Sequence, residues 1–144
     1  MRGIKSWALE YEPHRLPFVR ELVTTQLRRW GLEGRFEDAR LISTELVCNV
    51  RHTGDNRFRL TMRRRPETVV IEVRDFSSVL VKFPDPEPDL GPQNEGLALY
   101  LRGLAENGRG LSCVQSFADG VGVRRVRDGK VVWARLRYPR ACRP

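Results

Sequence analysis

The stretch ISTELVCNVRHTG, Ile42 to Gly54, has the pattern of a helix stopped by a glycine, and it sets Glu45, Asn49 and His52 on one side. At roughly 100° per residue, Asn49 lies about 40° round from Glu45, and His52 nearly eclipses Glu45. Ala39, Ile42, Leu46 and Val50 form an adjoining apolar stripe, about 100° away. A solvated helix face would also be polar. This row, however, borders the stripe that enters a core, where polar groups are costly unless they have partners. The pattern therefore points to a site at a core edge, on a helix expected from about Phe36 to His52.

Working outward, Ile4 to Tyr11 alternates weakly and stops before Pro13, which predicts a strand. From Arg15 to Trp30, Leu16, Val19, Leu22, Val23, Leu27 and Trp30 repeat with a helical period that Gly31 closes. Downstream, Phe58, Leu60 and Met62 alternate, RRPET turns the chain, and VVIEV returns to Arg74 and Asp75, which predicts a hairpin. Then comes KFPDPEPDLGPQNEG, an acidic segment whose prolines forbid regular structure. Glu95 to Glu106 and Gly110 to Ala118 read as two short helices. Val121 to Arg127 and Val131 to Leu136 flank Asp128-Gly129, a strong hairpin signal. The order β-α-α-β-β-loop-α-α-β-β implies an α+β two-layer sandwich. Its sheet is mixed but mostly antiparallel, with helices on one face.

The chain has 144 residues, enough for one domain spanning 1–144 with one core. Its three cysteines, Cys48, Cys113 and Cys142, are widely spaced and form neither a disulfide framework nor a metal-type pair. The opening MRGIKSWALEYEP lacks an apolar run of signal-peptide length, and nothing later approaches a membrane span. The expectation is a reduced, cytoplasmic protein. The net charge of +8 is carried almost wholly by arginine. A basic surface can attract nucleic acid or an acidic protein. The arginines are scattered, though, and no nucleic-acid-binding motif accompanies them, so nucleic acid ranks below the other partners.

Three pieces could carry chemistry, in order: Glu45-x-x-x-Asn49 on a helix, Asp75 at the exit of an apolar strand, and Gly108-Arg109-Gly110-Leu111 at a helix start. Each alone is common in proteins that use it only structurally. Together they suit ATP. An asparagine amide oxygen suits Mg²⁺, which keeps few protein ligands. A carboxylate one turn away can accept the proton of an attacking hydroxyl. An aspartate at a strand end can accept a hydrogen bond from an amino group such as adenine's. Backbone N–H groups of a glycine-rich helix start suit phosphate oxygens, and Arg109 adds positive charge.

On these residues the chain resembles the GHKL ATPases of the Bergerat fold, and within them the single-domain anti-sigma-factor serine kinases. ELVCNVRHTG is similar to their N box, and VVIEVRDFSS to the strand and aspartate of their first glycine box. ENGRGLSCVQSFADGVGV with GKVVWARL resembles their second glycine box and closing hairpin, and RLPFVRELVTTQLRRWGLEG their first helix. The resemblance implies that Glu45 is the catalytic base, Asn49 the Mg²⁺ ligand and Asp75 the adenine-binding aspartate. It makes Gly108, Arg109, Gly110 and Leu111 the phosphate-binding turn and residues at about 77–107 the ATP lid. It implies phosphorylation of a serine on a STAS-domain anti-anti-sigma protein, sequestration of a sigma factor, and a homodimer.

The sequence also departs from the family pattern. Only Val50 and Arg51 separate Asn49 from His52, one residue fewer than usual. Phe76-Ser77-Ser78 follows Asp75 without a glycine, and Val131 replaces the usual hydroxyl residue after Lys130. The Glu95–Glu106 segment lengthens the lid by about a dozen residues. These departures motivate a second reading, a catalytically weak or inactive GHKL-fold module that sequesters a sigma factor or another regulator.

Overall fold

The computed structural model describes residues 3–52, 55–77 and 110–138. Five strands form one sheet: β1 (Gly3–Glu10), β2 (Arg57–Arg65), β3 (Thr68–Asp75), β4 (Gly120–Val126) and β5 (Gly129–Arg137). Their spatial order is β1-β2-β3-β5-β4. All four pairings are antiparallel. Three helices accompany the sheet: α1 (Leu16–Arg29), α2 (Phe36–Cys48) and α3 (Gly110–Phe117). The expected α+β architecture is therefore the observed one. The segment expected to hold a helix at Glu95–Glu106 lies outside the described residues.

Strand alternation decides which side chains enter the core. Phe58, Leu60 and Met62 of β2, Val69, Ile71 and Val73 of β3, and Val132, Ala134 and Leu136 of β5 are all buried. Against them pack Val19, Val23 and Leu27 of α1 and Ala39, Ile42, Leu46 and Val47 of α2. Each fully buried Leu or Ile contributes roughly 1.5–3 kcal/mol relative to exposure, so this one cluster supplies most of the driving force. The helix α2 lies between α1 and α3 and touches β3 and β5. That places the centre of the molecule along the stripe read from the sequence.

Helix ends follow from local chemistry. Gly31, at φ 71°, terminates α1 where a side chain would be strained. The Leu32 N–H donates to the Leu27 carbonyl at 2.9 Å and the Gly31 N–H to the Arg28 carbonyl at 3.0 Å, the paired bonds of a Schellman cap. Leu27 and Leu32 are both buried beside it. At the other end of α2 the chain does not stay α-helical to His52. It tightens at Cys48 into a 3-10 turn over Asn49–His52. No helix among the described residues is long and apolar enough to cross a membrane.

Candidate functional site

Sheet register brings Asp75 and the Asn49 end of α2 to one end of the fold. Asp75, the last residue of β3, pairs with Phe58 at the start of β2 and with Lys130 at the start of β5. The chain reaches β2 directly from the end of α2, through the 3-10 turn and a short connection. The Asn49 end of α2 therefore meets the Asp75 end of the sheet. The helix α3 runs the other way. Its C-terminal end feeds Gly120, which pairs with Arg135 near the far end of β5, so its Gly110 end is directed toward the Asp75 end.

Glu45 and Asn49 are each half-buried, while Ala39, Ile42, Leu46 and Val50 beside them are fully buried. The polar row does lie at the core edge. Asn49 is the C-cap of α2, and its N–H donates to the Glu45 carbonyl. Because the 3-10 turn advances about 120° per residue instead of 100°, the angular relation expected between His52 and Glu45 does not hold. The His52 side chain lies outside the described residues, as do Gly108 and Arg109. Gly110 opens α3 and Leu111 follows in its first turn.

Asp75 is buried, as its expected role requires, but it already has an ionic partner. Its Oδ2 lies 2.7 Å from the Lys130 ammonium, and the two side chains are 2% and 1% exposed. Its Oδ1 accepts the Ser77 N–H at 3.0 Å, a local turn that fixes the carboxylate plane. Lys130 was absent from the expected site. Strand alternation was the available signal, since Lys130 shares the inward face with Val132, Ala134 and Leu136. What alternation could not show is that this face meets Asp75, because the pairing spans 55 positions of sequence.

The backbone around the pair is tightly set. A Cβ on Gly129 would lie 2.0 Å from the Asp75 carbonyl oxygen, so only glycine lets β5 begin this close to the end of β3. Asp128 adopts φ 61° in the preceding turn. The Arg74 guanidinium spans the two strands by donating to the Asp75 and Arg127 carbonyls. Phe76 turns away from Asp75. The guanidinium carbons of Arg57 and Arg74 lie over its ring, 4.5 and 4.1 Å from the centre. Its bulk is thus directed to the arginines of the opposite sheet face. At the entry to β2, Asp55 accepts hydrogen bonds from the Arg57 side chain and N–H, which hold its carboxyl down at about 2.

A broad concavity of about 770 Å³ opens on that opposite face, lined by Arg63, Glu72, Arg124, Trp133 and Arg135 among others. There Glu72 is gripped by Arg63 at 2.8 Å and by Arg124 at 3.2 Å. It is separated by the sheet from Asp75 and α2, so it is not the site these residues form.

The Histidine kinase-like ATPase domain family matches residues 9–136. The chain belongs to that family. No curated protein matches it at a significant level. Among solved structures, a chain of the SiaB-SiaC complex from Pseudomonas aeruginosa has a similar fold, with a TM-score of 0.56 at 12% identity. The similarity covers 92% of this chain and 88% of that one.

Membership of a histidine kinase-like ATPase family implies a nucleotide, usually with Mg²⁺. The residues present fit one. The Asp75–Lys130 pair offers an acceptor beside a donor, as a base edge requires, and the bare backbone at Gly129 leaves no side chain between the strands. No group of three or more His, Cys, Asp or Glu converges among the described residues.

Proposed function

We propose that this chain is an ATP-binding anti-sigma regulatory factor with protein-serine kinase activity toward a STAS-type anti-anti-sigma partner. The observation that carries the reading is the convergence of three chain ends at one end of the sheet. The end of α2 brings Glu45 and Asn49, the end of β3 brings Asp75, and the start of β5 closes against Asp75 through Lys130. In this reading 1–144 is one domain and residues at about 77–107 are its ATP lid. A fold shared with a member of a two-protein complex supports a protein partner.

In this reading Glu45 accepts the proton of the incoming serine hydroxyl, at a half-buried position where it is shielded from bulk water but can still be reached. Asn49 supplies an amide oxygen to Mg²⁺, and Asp75 accepts from the adenine amino group. Gly108, Arg109, Gly110 and Leu111 surround the phosphates with backbone N–H groups and one positive charge. Bound Mg-ATP supplies the transferable phosphoryl group and the charge neutralisation it needs. A homodimer in the cytoplasm, binding a sigma factor when its STAS partner is phosphorylated, completes the switch. The test is transfer of labelled phosphate from ATP to purified STAS-domain proteins. Glu45→Ala should abolish transfer and leave nucleotide binding intact; transfer that survives removes Glu45 as the base.

One observation favours a second reading, a catalytically weak module that works by holding its partner. The Asp75 carboxylate is already neutralised by Lys130 at 2.7 Å. That reading expects weak ATP binding beside tight partner binding, and phosphate transfer to any purified partner rules it out.

A further inference from the structure

We infer that Lys130 reads the nucleotide base together with Asp75, donating directly to the ring nitrogen beside the amino group that Asp75 accepts. The inference rests on the nucleotide reading above and adds a specificity-determining residue to it. An ammonium carries three N–H donors and no acceptor. Among the described residues, that of Lys130 has one ionic partner, Asp75, and its side chain is 1% exposed. Two donors are thus held away from bulk water, where leaving them unmade is costly.

The geometry links the two groups. With Lys130 Nζ and Asp75 Oδ2 2.7 Å apart, a base edge that reaches one necessarily meets the other. Asp75 has acceptor capacity left, because a carboxylate offers about four lone-pair sites and two are engaged, by Lys130 and by the Ser77 N–H. The edge of adenine presents an amino donor next to a ring-nitrogen acceptor. Carboxylate and ammonium match this edge group for group. The match is held in place by structure: Gly129 brings the two strands into contact, and Arg74 ties the carbonyls of Asp75 and Arg127. A neutral or apolar residue at position 130 could not make the second bond.

The alternative is that the ammonium only neutralises Asp75 and competes with the amino group for it. The two accounts differ in what the ring nitrogen is worth. Calorimetric titration of the whole chain with Mg-ADP and with Mg-1-deaza-ADP, whose ring nitrogen is replaced by C–H, measures that worth. Wild-type protein should bind Mg-ADP at least about tenfold more tightly than the deaza analogue, since a charge-assisted bond to a buried donor is lost. Lys130→Met should bind the two alike, and Lys130→Gln, which keeps a donor, should retain part of the difference. Should Lys130→Met not fold, Lys130→Gln carries the test, and its preference for Mg-ADP over the deaza analogue should fall clearly below that of the wild type. Equal binding of the two ligands by wild-type protein overturns the inference and leaves the nucleotide reading standing. Tighter Mg-ADP binding by Lys130→Met than by wild type also overturns it, showing a competitor. Absence of binding by either nucleotide overturns the nucleotide reading and the inference with it.

Discussion

Replacing Lys130 with methionine should unfold this protein far more readily than its position at a strand end suggests. The side chain is 1% exposed and its only ionic partner among the described residues, Asp75, is 2% exposed. Methionine keeps the length and packing of the lysine stem but leaves the carboxylate buried without its counter-charge. Breaking such a pair from one side costs about 3–5 kcal/mol. In a chain approaching 150 residues each kcal/mol lowers Tm by about 2–4 °C, so a fall of about 6–20 °C is expected. Removing both charges is a different perturbation. Asp75→Val with Lys130→Met deletes the desolvation cost together with the attraction, and stability should return to within about 1–2 kcal/mol of wild type. Urea unfolding of the wild type, both single variants and the double variant closes the cycle, and the coupling between the positions should be a few kcal/mol. A loss below about 1 kcal/mol in Lys130→Met, within the range of an exposed ion pair, would refute the buried pairing on which the site description depends.

Further outcomes follow from other contacts. Gly129→Ala forces a Cβ to within 2.0 Å of the Asp75 carbonyl oxygen, so the strands must part; a loss of at least about 1–3 kcal/mol in urea unfolding is expected. At the far end of the sheet, Asp119 accepts from Arg35 and from the Arg137 N–H. Burial would raise its pKa, but the Arg137 N–H and the Arg35 guanidinium hold it below the ordinary value. A depressed carboxylate stabilises the fold above its unfolded pKa of 3.8, and that contribution is lost as pH falls through its lower folded pKa. Asp119→Asn should therefore be less stable than wild type at pH 6 by about 1 kcal/mol, with the gap closing below pH ~3.8, as urea midpoints across pH would show. Glu45→Ala should leave Mg-ATP affinity within about threefold while removing at least a hundredfold of any phosphate transfer, the usual worth of a general base.

Much of the architecture was legible because alternation and helical period report burial directly. Ala39, Ile42, Leu46 and Val50 form one buried stripe, and Asp128-Gly129 does turn a hairpin between β4 and β5. The tightening of α2 at Asn49 was not legible, because a 3-10 turn and an α-helical turn share the same residue preferences. The destination of Phe76 depends on Arg57 and Arg74, which only sheet pairing brings beside it. Likewise, nothing local to DGKVVW announces that Lys130 meets Asp75; the contact is created by the pairing of β3 with β5. Gly108 and Arg109, read from the glycine-rich pattern before α3, lie outside the described residues.

In the proposed function the end of α2 and the end of β3 form one nucleotide site. Calorimetric titration of Mg-ATP into the purified chain, beside Asn49→Ala and Asp75→Asn, tests it most directly. Micromolar binding that both substitutions abolish is the predicted result. No binding at millimolar nucleotide, or binding that neither substitution disturbs, would contradict it.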